Sequence, residues 1–182
     1  MEDVRAWIAA RIPKERDLQL PELVELATAI GQHPEPWQHL VRHDPTQRIY
    51  AELYRDVHLD VWLCCWDSQQ DTGYHDHDIS SGAVYVCDGK LVEDRLVVSE
   101  TGIQQRTVER PAGSVFDFDA GRMHCMRHPG GIPAASIHCY SPALWRMGYY
   151  SFDDDGNFSR NSVTYADEMW ERPSGLVDAL RN

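Results

Sequence analysis

Two histidines separated by one residue, His75 and His77, have the spacing in this sequence that most directly suggests chemistry. Successive side chains of a β-strand point to opposite faces, so residues two apart share a face. On a strand, His75 and His77 could therefore bind one metal ion through their imidazole nitrogens. Taken alone, such a pair is more often a pair of surface residues. Its significance depends on a third histidine, His124, which follows later in the chain.

A second set of polar residues alternates along the segment 135–142. On a strand, Ser136, His138 and Tyr140 would share one face, whereas Cys139 would lie on the other face and serve in packing. If the first face points inward, hydroxyl, imidazole and phenol could form a hydrogen-bonded relay, and Tyr140 could act on substrate or on oxygen. The alternative is that the three residues form the polar outer face of an ordinary strand.

Helices are predicted in the N-terminal segment, which precedes these residues in the chain. Residues 2–44 have a helical character, with apolar residues recurring at helical spacing over residues 20–30. Pro21 stands where the first helical turn tolerates proline, and Gly31, which is followed by two prolines, predicts the end of that helix. A second short helix is expected around residues 37–42.

From about residue 48 the pattern changes to short runs of β-branched and aromatic residues, which are separated by turn residues. Many short strands at even spacing favour an all-β fold, either a barrel or a double-sheet jelly roll. The segment 165–182 is expected to hold one further helix. We predict a helical segment, 1–44, that packs on a β-barrel domain, 45–182. The predicted strands span residues 49–55, 59–66, 84–87, 91–99, 104–108, 115–118 and 135–140.

Size and charge limit the classes of function. The chain has 182 residues, a globular composition and a formal net charge of −12, so nucleic acid and anionic membranes would repel it. Its five cysteines contain no C-x-x-C pair, which argues against a disulfide framework and a structural zinc site. The N-terminus does not resemble a signal peptide, and no apolar stretch has the length of a membrane span. We expect a cytoplasmic protein that is a monomer or a weak homodimer.

The segment that carries the third histidine resembles the second motif of the cupin superfamily, G-x5-P-x-G-x2-H-x3-N. The spacing fits throughout from Gly113 to His124. Asp119 takes the place of the proline, and His128 takes the place of the asparagine. This resemblance implies a cupin double-sheet β-barrel, a jelly roll, with the third metal-binding histidine at His124.

The first cupin motif, G-x5-H-x-H-x3-4-E-x6-G, is matched at His75 and His77, but Gly82 stands where its glutamate is expected. Three neutral imidazoles would then bind the metal without a protein charge. On an octahedral metal they leave three adjacent positions, which suits a chelating substrate together with dioxygen. A thiolate substrate would supply the missing negative charge. The alternative is a degenerate cupin that binds no metal.

The motifs in combination resemble cysteine dioxygenase and its bacterial thiol dioxygenase relatives over about residues 46–150. The resemblance is carried by the run S-x-H-x-Y-S-P twelve residues after the third histidine, by residues 61–66 and by the hairpin 82–93. It implies that a thiol is oxidised by O2 to a sulfinate, with Fe(II) as the cofactor. The implied iron ligands are His75, His77 and His124, and the implied supporting triad is Ser136, His138 and Tyr140.

The predicted substrate contacts depart from that family. Its cysteine-oxidising members bind the substrate carboxylate with the arginine of a Tyr-x-Arg stretch, and the matching stretch here ends in Glu52. A glutamate would repel a carboxylate, so we expect a thiol with a positive charge, of the ergothioneine or cysteamine type. Glu52 would hold that charge together with aromatic residues, and the candidates are Tyr50, Trp62 and Trp66.

Alternatives to this substrate and to this function remain open. Glu52 could be a solvated strand residue while an arginine binds the carboxylate of L-cysteine or mercaptopropionate. Arg48 or Arg55 could do so if the register shifts by a few residues, and Arg122 or Arg127 are further candidates. Beyond thiol oxidation, a different metal-dependent cupin enzyme or a non-catalytic ligand-binding cupin would share the histidine cluster. The other enzyme would not need the Ser-His-Tyr relay, and the non-catalytic cupin would bind no metal in stoichiometric amount.

Overall fold

Two antiparallel sheets make up most of the structure, a computed structural model that describes residues 3–100, 102–153 and 158–164. One sheet has the strand order β1-β2-β9-β4-β7, and the other has the order β11-β10-β3-β8-β5-β6. The predicted all-β cupin architecture is confirmed. The strands are β1 Ile49–Arg55, β2 Asp60–Trp66, β3 His75–Asp76, β4 Ser81–Asp88, β5 Lys90–Ser99, β6 Gly102–Pro111, β7 Val115–Phe118, β8 His124–Arg127, β9 Ala134–Ser141, β10 Arg146–Phe152 and β11 Phe158–Thr164.

Two α-helices precede the strands, α1 Val4–Ala9 and α2 Leu20–Gln32. The helix expected around residues 37–42 is instead a short 3-10 helix, Gln38–Leu40. The prediction that Gly31 ends α2 is wrong, because the helix continues to Gln32. A Cβ at Gly31 would collide with the ring of Tyr85 in β4, so this glycine permits the close approach of the helix to the sheet. Within the described residues, no helix is long and apolar enough to cross a membrane.

Buried apolar side chains form one cluster on each face of the five-stranded sheet. The first cluster joins the helices to the sheet and includes Leu23 of α2, Leu63 of β2 and Ile137 of β9. The second cluster lies between the two sheets and includes Trp66 and Phe118. Fully burying such a side chain contributes roughly 1.5–3 kcal/mol, so both clusters fix the strands that carry the predicted site.

The predicted strands agree with the observed ones within a few residues, but four observed strands were not predicted. Two of these, β3 and β8, carry predicted metal ligands, and they pair with each other through His75 and His124. The other two, β10 and β11, form an antiparallel hairpin beside β3. The helix expected in residues 165–182 lies outside the described part of the chain.

Candidate active site

Three buried histidines lie together between the two sheets. His75 in β3 is the register partner of His124 in β8, and His77 follows directly after the end of β3. One ring nitrogen from each residue lies within 4.8 Å of those of the other two. The side chains are almost fully buried, with residue exposures of 3% for His75 and 1% for each of the others. The structure therefore brings together all three predicted ligands.

Hydrogen bonds orient two of these rings. Nδ1 of His75 donates to the carbonyl oxygen of Gly73 at 3.0 Å, and Nδ1 of His124 donates to Oε1 of Glu93 at 3.1 Å. In both rings Nε2 is then the atom that carries the lone pair. Among the described residues, neither Nε2 of His124 nor either ring nitrogen of His77 has a hydrogen-bond partner. Buried nitrogens without a partner are costly, and a metal ion would satisfy Nε2 of His124 and one of the two nitrogens of His77.

Burial also keeps these imidazoles neutral. Desolvation lowers the pKa of His75 and of His77 well below the ordinary value, and the neighbouring histidines act in the same direction. Desolvation lowers the pKa of His124 as well, although the hydrogen bond and charge of Glu93 oppose the shift. A neutral imidazole is the form that binds a metal. The histidine cluster thus fits a metal ion in both geometry and protonation.

The position of the missing motif glutamate is filled by an aromatic ring. Gly82 in β4 pairs with Phe118 of β7 and Tyr140 of β9, and a Cβ at this position would collide with the Phe118 ring. The same ring stacks on His77 with 4.5 Å between ring centroids. A side chain at position 82 could not reach the histidines without displacing Phe118.

The Ser-His-Tyr alternation places three hydrogen-bonding groups in series on β9. Oγ of Ser136 lies 2.8 Å from Nε2 of His138, and Nδ1 of His138 lies 3.2 Å from the Tyr140 hydroxyl. Trp66 extends this relay, because its indole Nε1 donates to Oγ of Ser136 at 2.9 Å. Cys139 points to the opposite face, into the cluster beneath the helices.

The relay ends beside the histidine cluster. The Tyr140 ring lies 5.1 Å from the His77 ring, measured between centroids. Burial lowers the pKa of His138 to about 3, and the positive charge of Arg48 acts in the same direction. Burial also raises the pKa of Tyr140 well above its ordinary value. At neutral pH, a neutral imidazole therefore faces a protonated phenol.

Arg48 is a buried cation on the side of this interior where the relay lies. It precedes β1, it is only 5% exposed, and its guanidinium lies over the rings of Tyr50 and Trp66, at 4.9 and 4.6 Å from their centroids. Nε donates to the Tyr50 hydroxyl at 2.6 Å, and Nη1 donates to the carbonyl oxygen of Asp71 at 3.1 Å. Within the described chain these bonds leave Nη2 for a further acceptor.

Of the predicted substrate contacts, Trp62 and Trp66 belong to the cluster between the sheets, and Tyr50 packs against it. Glu52 is the register partner of Trp62 in the sheet, but its carboxylate pairs with Arg5 of α1 at 3.2 Å and its side chain is 34% exposed. The anionic residue expected in the pocket is thus engaged at the helix. Sequence reasoning had left Arg48 only as an alternative.

Two further arginines that sequence reasoning considered are engaged elsewhere. Arg55 pairs with Asp60, and Arg127 pairs with Asp94 at 2.7 Å. The fourth candidate, Arg122, is half-buried, and its positive charge acts to lower the pKa of His124. Arg48 is the candidate whose guanidinium lies over Trp66, the residue that extends the relay.

The aspartate between the two neighbouring histidines holds β3 from outside. Oδ2 of Asp76 accepts from Nε of Arg160 at 2.6 Å and from the Tyr150 hydroxyl at 2.5 Å. Although burial opposes ionisation, these hydrogen bonds outweigh it and lower the pKa of Asp76. Strands β10 and β11 thereby fix the short segment that carries His75 and His77.

Two solved structures that share this fold are less than 20% identical to the chain. The protein TT1209 from Thermus thermophilus is 19% identical, with a TM-score of 0.50 over 58% of this chain and 93% of its own. A recombinant oxalate oxidase in complex with glycolate is 16% identical, with a TM-score of 0.51 over 60% of this chain and 59% of its own. These likenesses concern the fold alone.

The family comparison is more specific, because it matches sequence along most of the chain. The family model of cysteine dioxygenase type I matches residues 8–153. This range contains the three clustered histidines, the Ser-His-Tyr relay and Arg48. The chain therefore belongs to the cysteine dioxygenase type I family, with a cupin fold and a three-histidine cluster that could bind a metal ion.

Proposed function

We propose that this protein is an Fe(II)-dependent thiol dioxygenase that oxidises a small carboxylate-bearing thiol to a sulfinate. The reaction joins RSH and O2 to give RSO2⁻ and a proton. Both oxygen atoms enter the product, and the electrons that sulfur loses are those that O2 gains, so no further reductant is needed. Ferrous iron in the histidine cluster would supply the redox chemistry that activates O2 towards sulfur.

The observation that carries the substrate class is the buried Arg48. A guanidinium binds a carboxylate through paired N–H groups, and a desolvated guanidinium does so more strongly than a solvated one. The three histidines are neutral, Glu52 is engaged by Arg5, and Asp60, which lies opposite Tyr140, is engaged by Arg55. Arg48 lies over Trp66, and its positive charge lowers the pKa of His138 in the relay. A cationic thiol would therefore meet repulsion here, which favours L-cysteine or mercaptopropionate over the cationic thiols.

The relay supports a proton-handling role for Tyr140. His138 is neutral and can carry its proton on either ring nitrogen, so it can donate to the Tyr140 oxygen or accept from the Tyr140 hydroxyl. Ser136 and Trp66 hold the far side of the imidazole in place. Tyr140 would thus present a hydroxyl of fixed orientation to the reacting atoms. Trp62, in the apolar cluster between the sheets, would help to exclude water from them.

The test is oxygen consumption by iron-loaded protein with three thiols: L-cysteine, 3-mercaptopropionate and cysteamine. We expect turnover with the first two, which carry carboxylates, and products whose mass has increased by two oxygen atoms. Protein loaded with Zn²⁺ serves as a control, because zinc has no redox chemistry. Absence of oxygen uptake with every thiol would contradict the dioxygenase, whereas a preference for cysteamine would contradict only the substrate class.

A further inference from the structure

Glu93 is a fully buried carboxylate that contacts a predicted metal ligand from behind. It lies in β5 with 0% exposure, and its Oε1 accepts the hydrogen bond from Nδ1 of His124 at 3.1 Å. The contact follows from the sheet register, because β5 pairs with β8 so that Arg95 lies opposite His124. Glu93 is two residues before Arg95 and shares its face of β5, so its side chain lies next to the His124 ring. The carboxylate is therefore positioned by the same ladder that positions the ligand.

Two arginines bind the other oxygen of this carboxylate. Oε2 of Glu93 accepts from Nη2 of Arg95 at 2.8 Å, and from Nη2 and Nε of Arg110 at 2.6 and 3.1 Å. Burial opposes the charge, but the hydrogen bonds from His124, Arg95 and Arg110 outweigh it and lower the pKa of Glu93 to about 2. The group is thus a fixed anion whose charge is shared between two cations and one imidazole.

A carboxylate that accepts from Nδ1 of a histidine has two effects on a metal bound at Nε2. It fixes the tautomer and the plane of the ring, and it makes the ring a stronger electron donor. In this fold the first effect is needed, because the His124 ring makes no other hydrogen bond within the described residues.

We propose that Glu93 is a positioning residue of the metal centre. Because Gly82 stands in place of the motif's glutamate, the ligand set has no negative charge, and Glu93 supplies one on the far side of His124. This inference rests on the proposed function, because it requires a metal at the three histidines. A glutamate ligand would neutralise the metal directly and occupy one of its coordination positions. A carboxylate one residue further out supplies part of the charge and leaves that position open.

The first variant is Glu93→Gln, which keeps the size of the side chain and a carbonyl acceptor but removes the charge. We expect metal affinity to fall by roughly 10–100-fold, measured by anaerobic titration with Fe(II) and with Co(II). Loss of negative charge should weaken binding of ferric ion more than of ferrous ion. A tenfold difference between them corresponds to a rise in reduction potential of about 59 mV.

The second variant, Arg110→Gln, has an effect of opposite sign. It leaves the Glu93 carboxylate in place and removes one of the two cations that neutralise it. The carboxylate next to His124 should then carry more negative charge. We expect the reduction potential to fall relative to wild-type protein. Because Glu93 is retained, this variant tests the inference even if Glu93→Gln does not fold.

Asp94→Asn is the matched control, since Asp94 is the next residue of β5 and contacts Arg127 and Thr107 instead of a histidine. We expect its metal affinity to stay within twofold of the wild-type value and its reduction potential to stay within a few millivolts. The inference is overturned if Glu93→Gln matches Asp94→Asn, or if both Glu93→Gln and Arg110→Gln shift the potential in one direction. Failure of the wild-type protein to bind iron would overturn the proposed function together with this inference.

Discussion

The ring of Phe118 lies against Gly82 and occupies the space that any side chain at position 82 would need. This contact explains why no carboxylate from position 82 joins the three clustered histidines. The same ring stacks on His77, so the residue that excludes a carboxylate ligand also supports an imidazole ligand. The departure from the cupin motif is therefore coupled to the packing of β4 against β7.

Gly82→Ala should destabilise the protein by overpacking. An added methyl group forces Phe118 or Tyr140 to move, and such changes in a packed core cost roughly 1–3 kcal/mol. The free energy of unfolding in urea measures this cost. Gly121→Ala is the control, because its nearest neighbouring atom to a Cβ is at 3.9 Å. Equal stabilities of the two variants would show that the Phe118 ring yields without cost.

His124→Ala should abolish stoichiometric iron binding. Removing one of three ligands leaves a cluster of two imidazoles, which is too weak and too open to fix a metal geometry. Iron content after anaerobic loading and desalting measures the effect. His128→Ala is the control, because the His128 ring contacts the carbonyl oxygen of Ile132 and is not one of the three clustered histidines. Full iron occupancy in the His124 variant would contradict the assignment of this ligand.

Much of the architecture could be predicted because its signals are local. Alternation along β9 predicted which side chains share the inner face, and the hydrogen bonds from Ser136 to Tyr140 follow that alternation. The short strands β3 and β8 could not be predicted, since two and four residues are too few to show a period. Their strand conformation depends on pairing with partners that are distant in sequence.

The charged contacts of the site could not be predicted for the same reason. Arg48 precedes β1 and reaches the interior by lying over two aromatic rings, which no spacing rule indicates. Glu93 reaches His124 only through the pairing of β5 with β8. The Tyr-x-Arg comparison predicted a substrate contact at Glu52, and the pairing of its carboxylate with Arg5, in a helix far away in sequence, carried no signal in that pattern. Long-range partners decide which charge faces the site.

Tyr140→Phe should keep iron but lose much of its rate. The hydroxyl can contribute only by hydrogen bonding or proton transfer, and such contributions are typically about 10²–10⁴-fold. Iron content and kcat, measured on the same sample, separate the two effects. Tyr74→Phe is the control, because its hydroxyl bonds to the exposed Gln105 away from the relay. An unchanged kcat in Tyr140→Phe would mean that the relay supports the fold and takes no part in the reaction.

Asp60→Asn should change how stability depends on pH. Burial raises the pKa of Asp60 to about 6, even though Arg55 lies beside it. The folded protein then holds this proton more tightly than the unfolded chain, so the contribution of Asp60 to stability decreases as pH rises from about 4 to about 6 and is constant above. Asparagine lacks this decrease.

The difference in unfolding free energy, variant minus wild type, should therefore rise across that interval by roughly 3 kcal/mol, which is two pKa units at about 1.4 kcal/mol each. Urea denaturation at several pH values across and above the interval measures it. The loss of the contact with Arg55 adds a constant offset, which the slope does not contain. Curves that run parallel would contradict the raised pKa.

Arg48→Gln should lower kcat/KM for 3-mercaptopropionate and L-cysteine far more than for cysteamine. A hydrogen bond to a charged group contributes about 1.5–3 kcal/mol, so its loss should cost roughly 10–100-fold with a carboxylate substrate. Cysteamine has no carboxylate, and removal of the buried cation should leave its rate unchanged or raise it. Glu52→Gln is the control, because Glu52 pairs with Arg5 and we expect its loss to leave the preference among the three thiols unaltered. The opposite pattern, in which Glu52→Gln weakens turnover of cysteamine while Arg48→Gln spares the carboxylate thiols, would mean that the pocket binds a cation after all.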